Sequence, residues 1–146
     1  MRRFEKVTYL NQEHITLPQR QTLYSAGYDL SSCEEVVILP KEIKLVPTGL
    51  KVALNQDEVL LVYPRSSLGI KKGLMMSNGV GVIDADYYNN HDNEGHIMVP
   101  LYNFNDQPVT ILRFERIAQG LFQTYLKTDD DAPISVVRKG GFGSST

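Results

Sequence analysis

Short β-type segments, cut apart by turn residues, constrain this chain more than any other feature. VTYL (7–10), VVIL (36–39), KLVPTGLKVAL (44–54), EVLLVYP (58–64), GVGVID (79–84), HIMVPLYNF (96–104) and VTILRF (109–114) are rich in β-branched and aromatic residues. Pro, Gly, Asn and Asp separate them at short intervals, as expected of strands joined by turns. Helical periodicity is poor, and only one short helical turn is expected, near Ser67 to Lys72. Many short strands without intervening helices predict an all-β sandwich or jelly roll rather than βαβ units.

The 146 residues fit one domain with a proper core. Residues 1–126 read as the β domain. Residues 127–146 read as a linker, KTDDDAP, and a Gly- and Ser-rich tail. A formal net charge of −2 gives no broad face for nucleic acid. No apolar run approaches the ~20 residues of a membrane span, and no signal-peptide core follows Met1. Cys33 is the only cysteine, which excludes an intrachain disulfide and points to a reducing, cytoplasmic setting. His14, His91 and His96 lack zinc-site spacing and read as surface or strand residues.

NGVGVIDADYY (78–88) carries the sharpest chemistry. Gly79 and Gly81 let backbone approach a ligand. If GVGVID is a strand, Asp84 and Asp86 share one face, with Ile83 and Ala85 on the other. A bend at DADYY would bring Tyr87 towards Asp84. An acid beside a flat ring, over a glycine floor, suits a small ring-bearing ligand.

PRSSLGIKKG (64–73) combines a planar cation, two hydroxyls and a glycine. Arg65 can fork onto phosphate oxygens, Ser66 and Ser67 can donate to them, and backbone near Gly69 can approach closely. A helix beginning at residues 67–72 would add amides facing the anion. AGYDL (26–30) places Asp29 after a glycine turn. ERIAQGLF (115–122) reads as a strand presenting Arg116 and Ile117 to opposite sides. RKGGFGSS (138–145) offers hinges, a stacking face and two cations, which is the composition of a lid over a nucleotide triphosphate.

These five segments, in this order, resemble the trimeric deoxyuridine triphosphatase (dUTPase) family across residues 26 to 145. The resemblance implies a distorted jelly-roll of the β-clip type, hydrolysis of dUTP to dUMP and pyrophosphate, and a homotrimer with shared sites. It implies that Asp84 orients and deprotonates a water attacking the α-phosphorus. Asn78 with backbone groups around Gly81 and Ile83 would read the uracil edge, and Tyr87 would pack on the deoxyribose and exclude a 2′-hydroxyl. Arg65, Ser66, Ser67 and Gly69 would hold phosphates. Asp29 would position metal-bound waters or the arginine network, and Gln119 would contact the phosphates or the attacking water. Arg116 would make an internal or interface ion pair. From the tail, Arg138 would reach the γ-phosphate, Phe142 would stack on uracil, and Gly143 and Ser144 would add donors. The cofactor implied is Mg²⁺, carried by the triphosphate and waters rather than by a protein cage.

The chain departs from the family pattern in three places. After Tyr87, the usual Tyr-Arg-Gly-Glu becomes Tyr-Tyr-Asn-Asn followed by HDNEGH, so residues 89–95 read as an extended, polar, exposed hairpin tip open to a protein partner. Gly69 stands where many relatives have alanine, and the tail is one residue shorter after Arg138. Two alternatives remain at this level: a nucleotide-gated regulatory protein on the same fold, and a dCTP deaminase, against which IDADY and the Gly-Phe-Gly-Ser tail argue.

Overall fold

The computed structural model describes residues 1–135. Its strands are β1 (Arg3–Lys6), β2 (Tyr28–Ser31), β3 (Val36–Ile38), β4 (Ile43–Pro47), β5 (Leu50–Ala53) and β6 (Glu58–Pro64). They continue with β7 (Leu74–Met76), β8 (Gly81–Ile83), β9 (Met98–Asn103), β10 (Val109–Ile111) and β11 (Arg116–Thr124). All pairings are antiparallel. The sheets run β2-β11-β6-β8, β4-β9-β7, β1-β5 and β10-β3. This is an all-β, distorted jelly roll. The only helical pieces among the described residues are single turns at Gln12–His14, Leu68–Lys72 and Ala85–Tyr87. None of the helices is long and apolar enough to cross a membrane.

Strand alternation builds the core. Leu60 and Val62 of β6 point inward, and Ile117 of β11, Leu30 of β2, Val46 of β4 and Leu101 of β9 meet them in one cluster. Each such side chain, fully buried, contributes about 1.5–3 kcal/mol. The other face of β4-β9-β7 keeps apolar residues outside: Ile43, Leu45 and Met75 are exposed, and Ile43 and Met75 both stand opposite Tyr102.

The structure departs from the sequence reading in places. VTYL is not a strand; β1 ends at Lys6, before it. Val7 still donates to the Gly49 carbonyl (2.8 Å), but Thr8 gives its N–H to the Glu94 carboxylate (3.1 Å). Its amide is therefore spent on a side chain instead of a ladder. KLVPTGLKVAL is two strands in different sheets. The break is at Gly49, whose φ is +74° and whose added Cβ would lie 2.5 Å from Ile15 Cγ1. β8 stops at Ile83, and a 3₁₀ turn follows, so Asp84 and Asp86 do not share a strand face: Asp84 is half-buried and Asp86 exposed. His96 is no surface residue; it is 1% exposed.

Residues 89–95 are not a hairpin tip either. β8 and β9, which they help to connect, belong to different sheets. His91 and Asp92 are exposed, but Gly95 is buried and Asn90, Asn93 and Glu94 are half-buried. Their polar groups are spent on internal hydrogen bonds.

Candidate active site

The end of β6 and its neighbours gather four of the expected residues. β11 pairs with β2 so that Gln119 faces Asp29, and with β6 so that Gln119 faces Tyr63. Asp29 then meets two guanidinium groups: Arg65 Nε lies 3.6 Å from Oδ1, and Arg116 Nη1 lies 3.3 Å from Oδ2. Arg116 thus makes the internal form of the expected ion pair. Arg65 Nη1 also reaches the Arg116 carbonyl at 3.5 Å. One carboxylate shared by two cations leaves a net positive charge, with guanidinium donors directed outward. Gln119 Nε2 donates to the Pro64 carbonyl (3.2 Å), and its side chain lies against Gly27.

Beside this cluster is a cavity of about 300 Å³, lined by Arg65, Ser67, Leu68, Lys71, Lys72, Phe114, Glu115 and Arg116. Ser66 and Gly69 are exposed nearby in sequence, and Ser67 precedes the expected helical turn. That turn is one π-type circuit, Leu68–Lys72, closed by Gly73 at φ +66°. The Leu68 amide is already taken by the Arg65 carbonyl (3.0 Å). Lys72 pairs with Glu115 (2.9 Å), while Lys71 is exposed at the cavity. Lys71, Lys72 and Phe114 carry no motif signal beyond the quoted KK pair; only folding brings residues 114–116 beside them. The cavity is cationic, with the Ser67 hydroxyl in its lining.

The second group lies elsewhere on the same sheet. Gly81 faces Val62, and Ile83 faces Leu60 with its side chain in the core. Asn78 is exposed in the loop before β8, its Nδ2 3.6 Å from where a Cβ on Gly81 would be. Asp84 opens the 3₁₀ turn, and its carbonyl accepts from the Tyr87 N–H (3.1 Å), so the chain bends back as expected. Tyr87 is 6% exposed. Its hydroxyl donates to the His96 carbonyl (2.8 Å) and accepts from Asn93 Nδ2 (2.9 Å).

Gly81, opposite Val62, stands three residues from Arg65 along β6, but Asp84 lies at the far end of the pairing. β8 runs antiparallel to β6, so Asp84 follows the Ile83–Leu60 pair while Arg65 lies five residues beyond Leu60 in the other direction. At ~3.3 Å per residue that is about 16 Å along the strand. Arg138, Phe142, Gly143 and Ser144 lie outside the described residues.

Among the described residues no three His, Cys, Asp or Glu side chains cluster to hold a metal. Glu115, the acid in the cavity lining, pairs with Lys72, and Asp29 beside the cavity is occupied by its two arginines.

The dUTPase family model matches residues 13–146. The deoxyuridine 5'-triphosphate nucleotidohydrolase of Lactococcus lactis is 49% identical over 146 residues, covering 99% of this chain and 97% of that protein. Its counterpart in Neisseria gonorrhoeae is 41% identical over 136 residues, 88% of this chain and 87% of that protein. The crystal structure of the Streptococcus mutans dUTPase superposes with a TM-score of 0.84 at 46% identity, covering 87% of this chain and 98% of that one. A mutant dUTPase of a Staphylococcus aureus phage, phi11, described as coordinating a structural Mg(II) ion, shares the fold with a TM-score of 0.75 at 20% identity, over 92% of this chain and 97% of its own. By sequence across nearly its whole length and by fold, this chain belongs to the dUTPase family.

Proposed function

We propose that the chain hydrolyses dUTP to dUMP and pyrophosphate in sites that three copies complete for one another. The observation that carries this reading is the place of Asp84, beyond the Ile83–Leu60 pair and so about 16 Å or more from Arg65 along β6. A second copy would bring its Asp84 group to the first copy's arginines. The exposed apolar face at Ile43, Leu45 and Met75 supports association.

In this reading the cavity takes the triphosphate. Arg65 and Arg116 neutralise it, with Ser66, Ser67 and backbone near Gly69 as donors. Asp29 holds the two arginines in place, and Gln119 fixes the far edge. Asn78 and the Gly81 and Ile83 backbone pair with the uracil edge; a base with the opposite donor pattern leaves those groups unpaired. Tyr87 forms the wall beneath the deoxyribose. Asp84 orients the attacking water and accepts its proton, a contribution of ~10²–10⁴-fold. Arg138, Phe142, Gly143 and Ser144 cover the nucleotide from the tail, residues 127–146, which acts apart from the 1–126 domain. The residues fit Mg²⁺ borne by the substrate, since the described acids offer no cage and the cavity favours phosphate. Bound in that way, Mg²⁺ would polarise the phosphates. A cytoplasmic location fits Cys33, a buried free thiol.

Pyrophosphate release from dUTP, dCTP, dTTP and UTP tests the chemistry. Release from dUTP alone, lost in Asp84→Asn, is expected. Ammonia release from dCTP would instead reveal a deaminase. Mixing Asp84→Asn with Arg65→Gln subunits tests the sharing: mixed assemblies regain activity if sites form between copies, and stay inactive if each site is built within one chain.

A further inference from the structure

A steric wall discriminates only if it cannot yield. Tyr87 is held at its hydroxyl from two directions, by the His96 carbonyl and by Asn93 Nδ2. Asn93 is itself fixed. Its Oδ1 accepts from Asn90 Nδ2 (2.9 Å) and the Gly95 N–H (3.1 Å). Its backbone N–H donates to Asn90 Oδ1 (3.1 Å), and its carbonyl accepts from the His96 N–H (3.0 Å). Asn90 Nδ2 also donates to the Tyr87 carbonyl (2.8 Å).

The same loop is pressed onto the tyrosine's backbone. Gly95 has φ +88°, and a Cβ there would lie 2.7 Å from the Tyr87 carbonyl oxygen and 3.0 Å from Tyr88 Cα. The loop's other side is anchored to strand β5: Lys51 Nζ donates to Asn89 Oδ1 (2.6 Å) and pairs with Glu94 Oε2 (2.7 Å). Burial pushes the Glu94 carboxyl up, but Lys51 and the Thr8 donors outweigh it and hold it below its usual range.

We propose that Asn93 is a positioning residue for sugar selection, and that residues 89–95 brace the Tyr87 ring against displacement by a ribose 2′-hydroxyl. The proposal rests on Tyr87 being the sugar wall. Removing the Asn93 donor leaves the hydroxyl tethered by one bond, and the ring gains freedom to tilt. Its effect falls on UTP, which must push the ring aside, more than on dUTP, which need not.

The test is kcat/KM for dUTP and for UTP in the wild type, Asn93→Leu, Tyr87→Phe, their double variant and Tyr87→Leu. Misfolding removes active molecules for both substrates alike and cancels in the ratio. Asn93→Leu is expected to lower the dUTP-to-UTP ratio about 3- to 10-fold, the worth of one net hydrogen bond. Tyr87→Phe lowers it similarly, and the double variant no further, because both remove the same contact. Should Asn93→Leu fail to fold, Asn93→Asp keeps the Oδ1 acceptor and puts a charged acceptor in place of the donor; the one Tyr87 proton then serves either it or the His96 carbonyl, the hydroxyl keeps one bond, and the expectation is the same. An unchanged ratio in the Asn93 variants, with the ratio collapsed in Tyr87→Leu, overturns the role of Asn93 and leaves the sugar wall standing. An unchanged ratio in Tyr87→Leu overturns the wall and the brace together.

Discussion

Gln119 lies across Gly27 so closely that a methyl group on the glycine would collide with Gln119 Oε1 and come within 3.1 Å of its Cβ. The glycine therefore sets where the Gln119 carboxamide sits beside Asp29. Gly27→Ala is expected to displace that carboxamide and to lower kcat/KM for dUTP about 10- to 100-fold, the usual cost of a misplacement near 1 Å. Thermal unfolding should shift little, because the site opens to solvent on that side. Steady-state pyrophosphate release beside a melting curve checks both parts.

Asp29 is the one carboxylate that both arginines share. Asp29→Asn keeps the shape and removes the charge, releasing Arg65 and Arg116 to wander. Two partly exposed ion pairs are worth up to ~1 kcal/mol each, so KM for dUTP should rise about 10-fold. An inhibitory, non-hydrolysable dUTP analogue should weaken in parallel. An unchanged KM would mean that the arginines are held by other contacts.

Much of this was legible in the sequence because strands and turns announce themselves locally. EVLLVYP became β6 over the expected residues, and ERIAQGLF became β11 with Arg116 paired to an acid. VTYL failed because the Thr8 amide binds a carboxylate 86 residues away, which no local pattern records. The segment 89–95 failed for a related reason. Asparagines look alike in sequence whether they face water or a buried hydroxyl, and only the fold shows that Asn93 faces Tyr87. Lys71 and Phe114 became cavity neighbours through tertiary packing alone.

His96 makes stability depend on pH. The Gly49 N–H donates to its Nε2 (2.8 Å), which puts the ring proton on Nδ1, towards the Tyr9 hydroxyl (2.5 Å). Burial lowers its pKa from 6.5 to about 4, with Glu94 opposing weakly. Between those values the unfolded chain binds more protons than the folded one. Stability is therefore full above pH 6.5 and declines as pH falls towards 4, by up to about 3 kcal/mol. His96→Gln offers an acceptor to Gly49 and a donor to Tyr9 but does not titrate. Urea midpoints at about pH 7 and about pH 5 should differ in the wild type and converge in the variant.

Lys51 anchors the brace, and removing it should be felt in stability first. Its side chain is 7% exposed, its ammonium pairs with Glu94, and it sits 5.3 Å from the centre of the Tyr88 ring. Lys51→Met keeps the length of the side chain and avoids a cavity. It leaves Glu94 half-buried with only the Thr8 donors. Breaking one side of such a pair should cost about 2 kcal/mol at neutral pH. The wild-type Glu94 carboxyl is held below its ordinary value of 4.5, so its contribution is present above that pH and fades as pH falls through the lowered folded value. In the variant only the Thr8 donors oppose the burial cost, and the carboxyl moves up relative to the wild type. The gap between wild type and variant should therefore narrow as pH falls from about 7 to about 4, which denaturant titrations at the two pH values would measure. A gap that stays constant would place the cost in lost packing around Tyr88 rather than in the unpaired carboxylate.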